Sequence, residues 1–429
     1  MNQYKWSPYI EKIKIDEKKT CIYSYITNKQ IIVSSNDASR GTIYLDSKKA
    51  RLLIDNGFIC KTEDDPYIVF MNQRDLERYS SSILDVVLHL NYDCNLACPY
   101  CYQNSLPKTI TMSEQVIHNV IDNLNIMIKD HNSSKLFLTL IGGEPTLHFG
   151  IVEILFKSMK SIKIPISGEV VTNGTLLSDG YVEQCLKLGI DTFDITLDGT
   201  KETHDKLRIH RDGSGSFDEI INNILNIQNK YNDANLTINY NLSKQTAENV
   251  ETFCEYLQKI GYTGQLSFSL IFEPPESDYK GAFQNHDNIW RIANSTAAKY
   301  NFNNAPFYRT PHLFCPMYNK SSYFIDPQGF IWSCINGIGK SHYYQGPINS
   351  QNDWHQMTIR ARRLETLNTP RQICKYCKFL PVCTGCCSYL NEEKHFHCLR
   401  GLYQNNEVPL LKKQILESIT EQRKRGQDA

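Results

Sequence analysis

The chain has 429 residues, 41% of them hydrophobic, with 46 basic and 46 acidic side chains. That length calls for two or three domains rather than one small core. The balanced charge excludes a global field for nucleic acid or an anionic membrane. No stretch reaches the roughly 20 apolar residues of a membrane-spanning helix. The opening residues, Met1-Asn2-Gln3-Tyr4-Lys5-Trp6, lack the apolar core of a signal peptide. A cytoplasmic protein is therefore expected, and in that compartment closely spaced cysteines among the 15 present point to metal rather than disulfides.

In chain order, residues 1–82 read as a small α+β unit. Strands are expected over residues 20–26 and 30–34, joined by the turn Thr27-Asn28-Lys29. A short helix is expected over 47–54, ending near Asn56-Gly57, then a strand over 57–60. From residue 83 apolar strands alternate with amphipathic helices. The strands fall at 84–90, 136–141, 168–172, 192–197, 236–240 and 266–271. One helix starts at the capping box Thr111-Met112-Ser113-Glu114 and carries Ile117, Val120, Ile121, Leu124 and Ile128 on one face. Another spans 247–260, with Val250, Phe253, Cys254 and Leu257 inward and Gly261 as its stop.

Six strand–helix repeats imply parallel strands with crossover helices. The expected fold class is α/β, a partial (β/α)6 barrel over residues 83–300, with a doubly wound sheet as the alternative. In either, active residues lie just past the strand C-termini. Glu273-Pro274-Pro275 breaks the rhythm and a helix follows near 287–300. Residues 301–429 form a cysteine-rich segment closed by a charged helix.

Cys94, Cys98 and Cys101 follow the first barrel strand with the spacing Cys-x3-Cys-x2-Cys. Three thiolates on one short loop can hold three corners of a cubane. A [4Fe–4S] cluster normally takes four, so a tripod leaves one iron open, and an open position marks a catalytic rather than a structural metal site. A zinc site is the alternative for the spacing alone. With Tyr100 before the third cysteine, the tripod resembles that of the radical S-adenosylmethionine (SAM) superfamily. That resemblance implies a catalytic [4Fe–4S] cluster that binds SAM and cleaves it to a 5′-deoxyadenosyl radical, which abstracts a substrate hydrogen.

Further motifs carry the resemblance in order. Gly142-Gly143-Glu144-Pro145-Thr146 follows the second strand and is similar to the family's glycine-rich motif that meets the SAM amino group. Glycine permits close backbone approach, and Glu144 can pair with an ammonium. Thr172-Asn173-Gly174-Thr175 ends the third strand, and Thr196-Leu197-Asp198-Gly199 the fourth. The resemblance implies SAM contacts from Tyr100, Gly143, Glu144, Asn173, Thr196 and Arg208, the last clamping a carboxylate through its fork of donors. A surface ion pair is the plainer role for Arg208, and a structural one for His204. For Ile271-Phe272 the resemblance implies packing near adenine, with core filling as the commoner role of an apolar strand end. Asp198 is considered as a proton acceptor, but turn duty is preferred, and no catalytic base is assigned.

Cys315, Cys334, Cys374, Cys377, Cys383, Cys387 and Cys398 resemble the SPASM domain, which holds two auxiliary [4Fe–4S] clusters in peptide-modifying radical SAM enzymes. The resemblance implies Cys315, Cys334 and Cys387 for the first cluster and Cys374, Cys377, Cys383 and Cys398 for the second. Cys386 stands where the family usually has glycine and competes with Cys387. The first cluster's fourth position is left to His312, Cys386, a substrate group or an open iron, and one or two auxiliary clusters are expected. Structural zinc is the alternative. Cys185 and Cys254 read as core, and Cys21 and Cys60 show no metal spacing.

SPASM-bearing enzymes mostly act on peptide or protein side chains. The unit preceding the tripod fits leader capture by strand addition, or else a structural cap. Sulfatase maturases place an aspartate base after the cysteine matching Cys334, whereas Ile335 and Asn336 follow it here. The expected activity is maturation of a ribosomally made precursor peptide by a carbon–carbon or ether crosslink, as in cyclophane- or darobactin-type peptides. Thioether or formylglycine formation are the alternatives. The expected partners are the precursor peptide, through its leader, and a reducing donor such as flavodoxin or ferredoxin. The rival of another class is a non-catalytic iron–sulfur or zinc protein, against which Gly142-Gly143-Glu144-Pro145 and Arg208 speak.

Overall fold

The computed structural model describes residues 2–80, 82–271, 279–282, 289–302, 319–350, 372–383, 398, 400–404 and 408–424. Backbone proximity divides the chain into two units. One comprises residues 1–79, 305–319 and 364–429, the other residues 80–304 and 320–363.

The first unit contains β1 (Asn2–Trp6), β2 (Ile10–Lys14), β3 (Lys19–Ser24), β4 (Gln30–Ser34), β5 (Ile43–Leu45) and β6 (Ile59–Lys61). They form two antiparallel sheets, ordered β5-β1-β6 and β2-β3-β4. The turn between β3 and β4 puts Asn28 at φ 58°, a left-handed position that asparagine tolerates better than most residues. The helix Ser47–Asp55 starts at Asp46, whose carboxylate accepts from the Lys49 N–H at 2.9 Å. A further helix, Pro66–Arg78, was not anticipated, nor were β1 and β2. Ile13, Cys21 and Tyr25 from β2, β3 and the residue just past β3 pack with Phe379 and Val382. Val408, Leu411 and Ile415 of the closing helix Val408–Lys424 complete that cluster.

In the second unit, β7 (Ile83–His89), β8 (Lys135–Ile141), β9 (Ile166–Thr172), β10 (Ile190–Thr196), β11 (Asn235–Leu242) and β12 (Gln265–Leu270) lie side by side in chain order, every pair parallel. Sequential parallel order with a helix after each strand is the half-closed α/β barrel expected from the alternation. One face of the sheet is apolar: Leu84, Val86 and Leu88 and their cross-strand partners Leu136, Leu138 and Leu140 are fully buried, each worth about 1.5–3 kcal/mol in transfer free energy.

The sheet then continues beyond what the rhythm predicted. β13 (Ser322–Ile325) adds parallel to β7 on its other side, and β14 (Phe330–Trp332) and β15 (Tyr344–Pro347) follow antiparallel. Part of the cysteine-rich segment is thus sheet in the barrel unit.

The helix Glu114–His131 is capped by Ser113, whose hydroxyl accepts from the Val116 N–H, rather than by Thr111. Its inward face is Ile117, Val120, Ile121, Leu124 and Met127, with Ile128 only partly buried. The expected 247–260 helix resolves into a 3-10 turn, Ala247–Asn249, and the helix Val250–Lys259. Among the described residues no helix is long and apolar enough to cross a membrane.

Candidate functional site

The C-terminal ends of β7, β8, β9 and β10 carry the motif residues. After β7 the chain runs through Asn91 and Asp93 into the loop of Cys94, Cys98 and Cys101. Backbone bonds hold that loop from one side. Ala97 N–H donates to the Ile209 carbonyl at 2.8 Å and Arg211 N–H to the Asn95 carbonyl at 3.2 Å. Arg211 also pairs with Asp93 at 2.8 Å.

The glycine step holds it from the other side. Gly143 N–H donates to the Asn91 carbonyl and Glu144 N–H to the Asp93 carbonyl, at 2.8 and 2.7 Å. A Cβ on Gly143 would stand 2.0 Å from the Asp93 oxygen, so only glycine fits. Asn91 completes the splice, its side-chain amide donating to the Glu144 carbonyl at 2.8 Å and accepting from its N–H at 3.3 Å. Sequence reasoning missed Asn91, which carries no periodic or spacing signal.

Glu144, expected to pair with an ammonium, is already held by its neighbours. It is fully buried. One oxygen accepts from the Thr146 N–H and hydroxyl and from the Thr172 hydroxyl, at 3.1, 2.6 and 2.6 Å; the other accepts from the Asn173 N–H at 2.6 Å. Burial pushes its carboxyl up, opposed by these bonds. Through these bonds Glu144 ties the ends of β8 and β9 together, with one hydrogen bond on its second oxygen. Asn173 reaches Cys94 Sγ at 3.7 Å and Asn95 at 2.8 Å. The third strand end therefore meets the tripod loop directly.

Below Cys98 lies a buried polar group. Arg208 donates to the Tyr100 hydroxyl at 2.9 Å, and that hydroxyl donates to Asp198, with Asn241 reaching it at 3.4 Å. Asp198 is fully buried, and burial raises its carboxyl, opposed by Arg208, Tyr100 and Asn241. Arg208 is no surface ion pair: it is nine-tenths buried, and among the described residues its Nε has no hydrogen-bond partner. His204 is structural, as expected, accepting from the Asp198 N–H through Nδ1 and meeting the Ser216 hydroxyl through Nε2. Thr196, also buried, ends β10. Ile271 packs with Leu207, Tyr279 and the Tyr100 ring; Phe272 lies outside the described residues.

The donor set fits the cluster the motifs imply. The three thiols are free. On one loop they offer a separate thiolate to each of three irons of a cubane. Burial pushes the Cys98 thiol up to about 12, with Arg208 opposing, and shifts Cys94 the same way. The unpartnered Nε of Arg208 leaves a buried donor for an anionic group.

Of the other cysteines, Cys334 is buried after β14. Cys374, Cys377 and Cys383 are partly exposed on consecutive short turns, and Cys398 is exposed. Cys315, Cys386, Cys387 and His312 lie outside the described residues. Cys185 and Cys254 are core, as expected.

Residues 89–257 match the family model "Radical SAM superfamily". A cysteine-type anaerobic sulfatase-maturating enzyme of Clostridium novyi (strain NT) is 28% identical over 39% of this chain and 46% of its own length. The radical SAM cyclopropyl synthase TigE of Paramaledivibacter caminithermalis is 24% identical over 56% of this chain and 57% of its own. The chain thus spans about half the length of these relatives. The Streptococcus suis protein SuiB, solved bound to its precursor peptide SuiA, superposes with a TM-score of 0.53. At 17% identity it covers 91% of this chain and 97% of its own, a likeness of fold. Fold, motif order and family model agree: the segment that carries the tripod and its supports is a radical SAM domain.

Proposed function

We propose that this protein is a radical SAM maturase acting in the cytoplasm on a ribosomally made precursor peptide. It installs a carbon–carbon or ether crosslink at an aromatic or unactivated side-chain carbon. The observation that carries the chemistry is the tripod loop spliced to the glycine step, with Arg208 buried beside Cys98 and a donor to spare.

A [4Fe–4S] cluster with SAM, held at Cys94, Cys98 and Cys101, supplies reductive SAM cleavage and hydrogen-atom abstraction. The chain's own residues position SAM. Arg208 takes its carboxylate, Gly143 lets the backbone approach, and Tyr100, Asn173 and Thr196 line the rest. Glu144 acts from behind, holding Asn173. Asp198 and Asn241 fix the Tyr100 hydroxyl and so aim Arg208.

The peptide reading draws on the SuiB likeness, which runs well beyond the radical SAM domain, and on the N-terminal strands. Among the described strands β4 is an edge of its sheet, a place where an extended leader can add as a further strand. We assign residues 1–82 to leader capture, 83–300 to the radical chemistry and 301–429 to a SPASM region. Cys315, Cys334, Cys374, Cys377, Cys383, Cys387 and Cys398 would hold auxiliary clusters, which would supply a substrate-binding iron or an acceptor for the substrate electron, and a flavodoxin or ferredoxin would supply the reducing electron. The sulfatase-maturase relative keeps formylglycine chemistry as the second reading, but Ile335 and Asn336 follow Cys334 where that chemistry places its aspartate.

The test is tandem mass spectrometry of a candidate peptide encoded beside the gene, co-expressed under low oxygen. Loss of two hydrogens per bond, mapped to an aromatic ring and a nearby side-chain carbon or oxygen, is expected. The same loss at a cysteine sulfur means thioether formation, and conversion of a cysteine or serine to formylglycine means the sulfatase reading. An unchanged peptide alongside active SAM cleavage overturns the substrate assignment.

A further inference from the structure

We propose that the N-terminal sheet of the first unit is the scaffold that holds Cys374, Cys377 and Cys383 for metal, with Glu11 as its positioning residue. This rests on the reading of those cysteines as auxiliary-cluster ligands.

The two cysteines of the Cys-x2-Cys pair are each followed by a lysine, and N-terminal acids grip both lysines. Lys378, after Cys377, pairs with Glu11 at 2.6 Å; Lys375, after Cys374, pairs with Asp65 at 2.9 Å. Glu11 lies on β2 and is buried. It also accepts from the Tyr25 hydroxyl at 2.9 Å and faces Lys412 of the closing helix at 3.7 Å. One buried carboxylate thereby joins β2, the residue beside a ligand and the C-terminal helix. Only the carboxylate of this group is buried, Lys378 and Lys412 being partly exposed, so removing a lysine leaves the buried charge of Glu11 less compensated.

The apolar contacts run the same way. Phe379 meets the Tyr25 ring edge-on at 5.3 Å. Cys377 and Cys383 pack against the core built around Tyr25, and Cys374 against that of Tyr9 and Phe70. The Tyr9 hydroxyl reaches the Lys375 carbonyl at 3.3 Å. Each described thiol of the trio borders a core to which the first eighty residues contribute. Metal loading there and folding of β2 and β3 are then one linked equilibrium, and linkage is reciprocal.

The test uses the full chain, reconstituted anaerobically with iron and sulfide. Cys377→Ala is the control: loss of part of the iron and of its paramagnetic resonance signal shows that the segment holds metal, and full retention overturns the auxiliary-cluster reading itself. With that control passed, Glu11→Ala is expected to lose the same iron and signal while keeping the signal that Cys98→Ala removes. Wild-type iron and an unchanged signal in Glu11→Ala overturn the scaffold role alone. Should that variant fail to fold, Lys378→Met removes the same ion pair with Glu11 still facing Lys412, and the same two outcomes apply. In the reverse direction, Cys377→Ala should speed amide exchange in β2 and β3 by about tenfold. Unchanged exchange there also overturns the proposal.

Discussion

Gly143 and Asp93 approach so closely that any side chain on the glycine would meet the Asp93 carbonyl, 2.0 Å from where a Cβ would stand. The atom in the way is backbone, immediately before Cys94, so relief must come from moving the tripod loop. Gly143→Ala is expected to lower SAM cleavage by about a hundredfold, the scale of an ångström's misplacement. Iron at the C-terminal cysteines should be unaffected. Single-turnover cleavage and iron content check this together; wild-type cleavage would show that the loop is more compliant than its splice implies.

Glu144→Gln presents a neutral amide where four donors converge. One donor then faces an NH2 group and loses its acceptor. The expected loss is about 2–3 kcal/mol of stability in the barrel unit, read as a lower urea midpoint. A variant as stable as the wild type would mean that the carboxyl is protonated in the native state.

Arg208→Lys keeps a charge but not the fork. A single ammonium cannot both hold the Tyr100 hydroxyl and offer a second donor. SAM affinity should weaken about tenfold with the iron–sulfur spectrum unchanged. Equal affinity in calorimetric titration would remove Arg208 from the SAM contacts.

His89, at the end of β7, is fully buried, and burial lowers it to about 3. The unfolded chain binds its proton near 6.5. Between those values the unfolded state holds more protons, so this contribution is present above about pH 6.5 and is lost as pH falls. Asp85 on the same strand acts oppositely: burial raises it to about 6, so its term favours the fold as pH falls from 6 towards 4. His89→Leu should therefore gain about 2 kcal/mol on the wild type between pH 7 and pH 5, measured by urea unfolding at both. A gap that stays constant with pH would place a proton on the native histidine.

Much of this molecule was legible because its signals are local. The six parallel strands come within a few residues of the apolar runs that foretold them, since a buried face demands an apolar residue at every second position. The tripod was legible because three thiols on one loop are neighbours in the chain. Where competing signals lay close together, as at Thr111 and Ser113, the cap slipped by two residues.

What lay beyond the sequence depends on partners distant along it. Asn91 and Glu144 are 53 residues apart, and only the pairing of the first two strand ends brings the amide to the Glu144 backbone. The motif established that a carboxylate follows Gly143; the fold turned it inward onto Thr172 and Asn173 from the next strand. β13 joins β7 across more than 200 residues, and Glu11 meets Lys378 across 367. Periodicity and spacing report what a residue's own neighbourhood dictates, so the sequence by itself determined the element types and the tripod. Which buried donor satisfies which buried acceptor is decided only when the strands assemble, because an unpaired polar group inside the fold is too costly to leave.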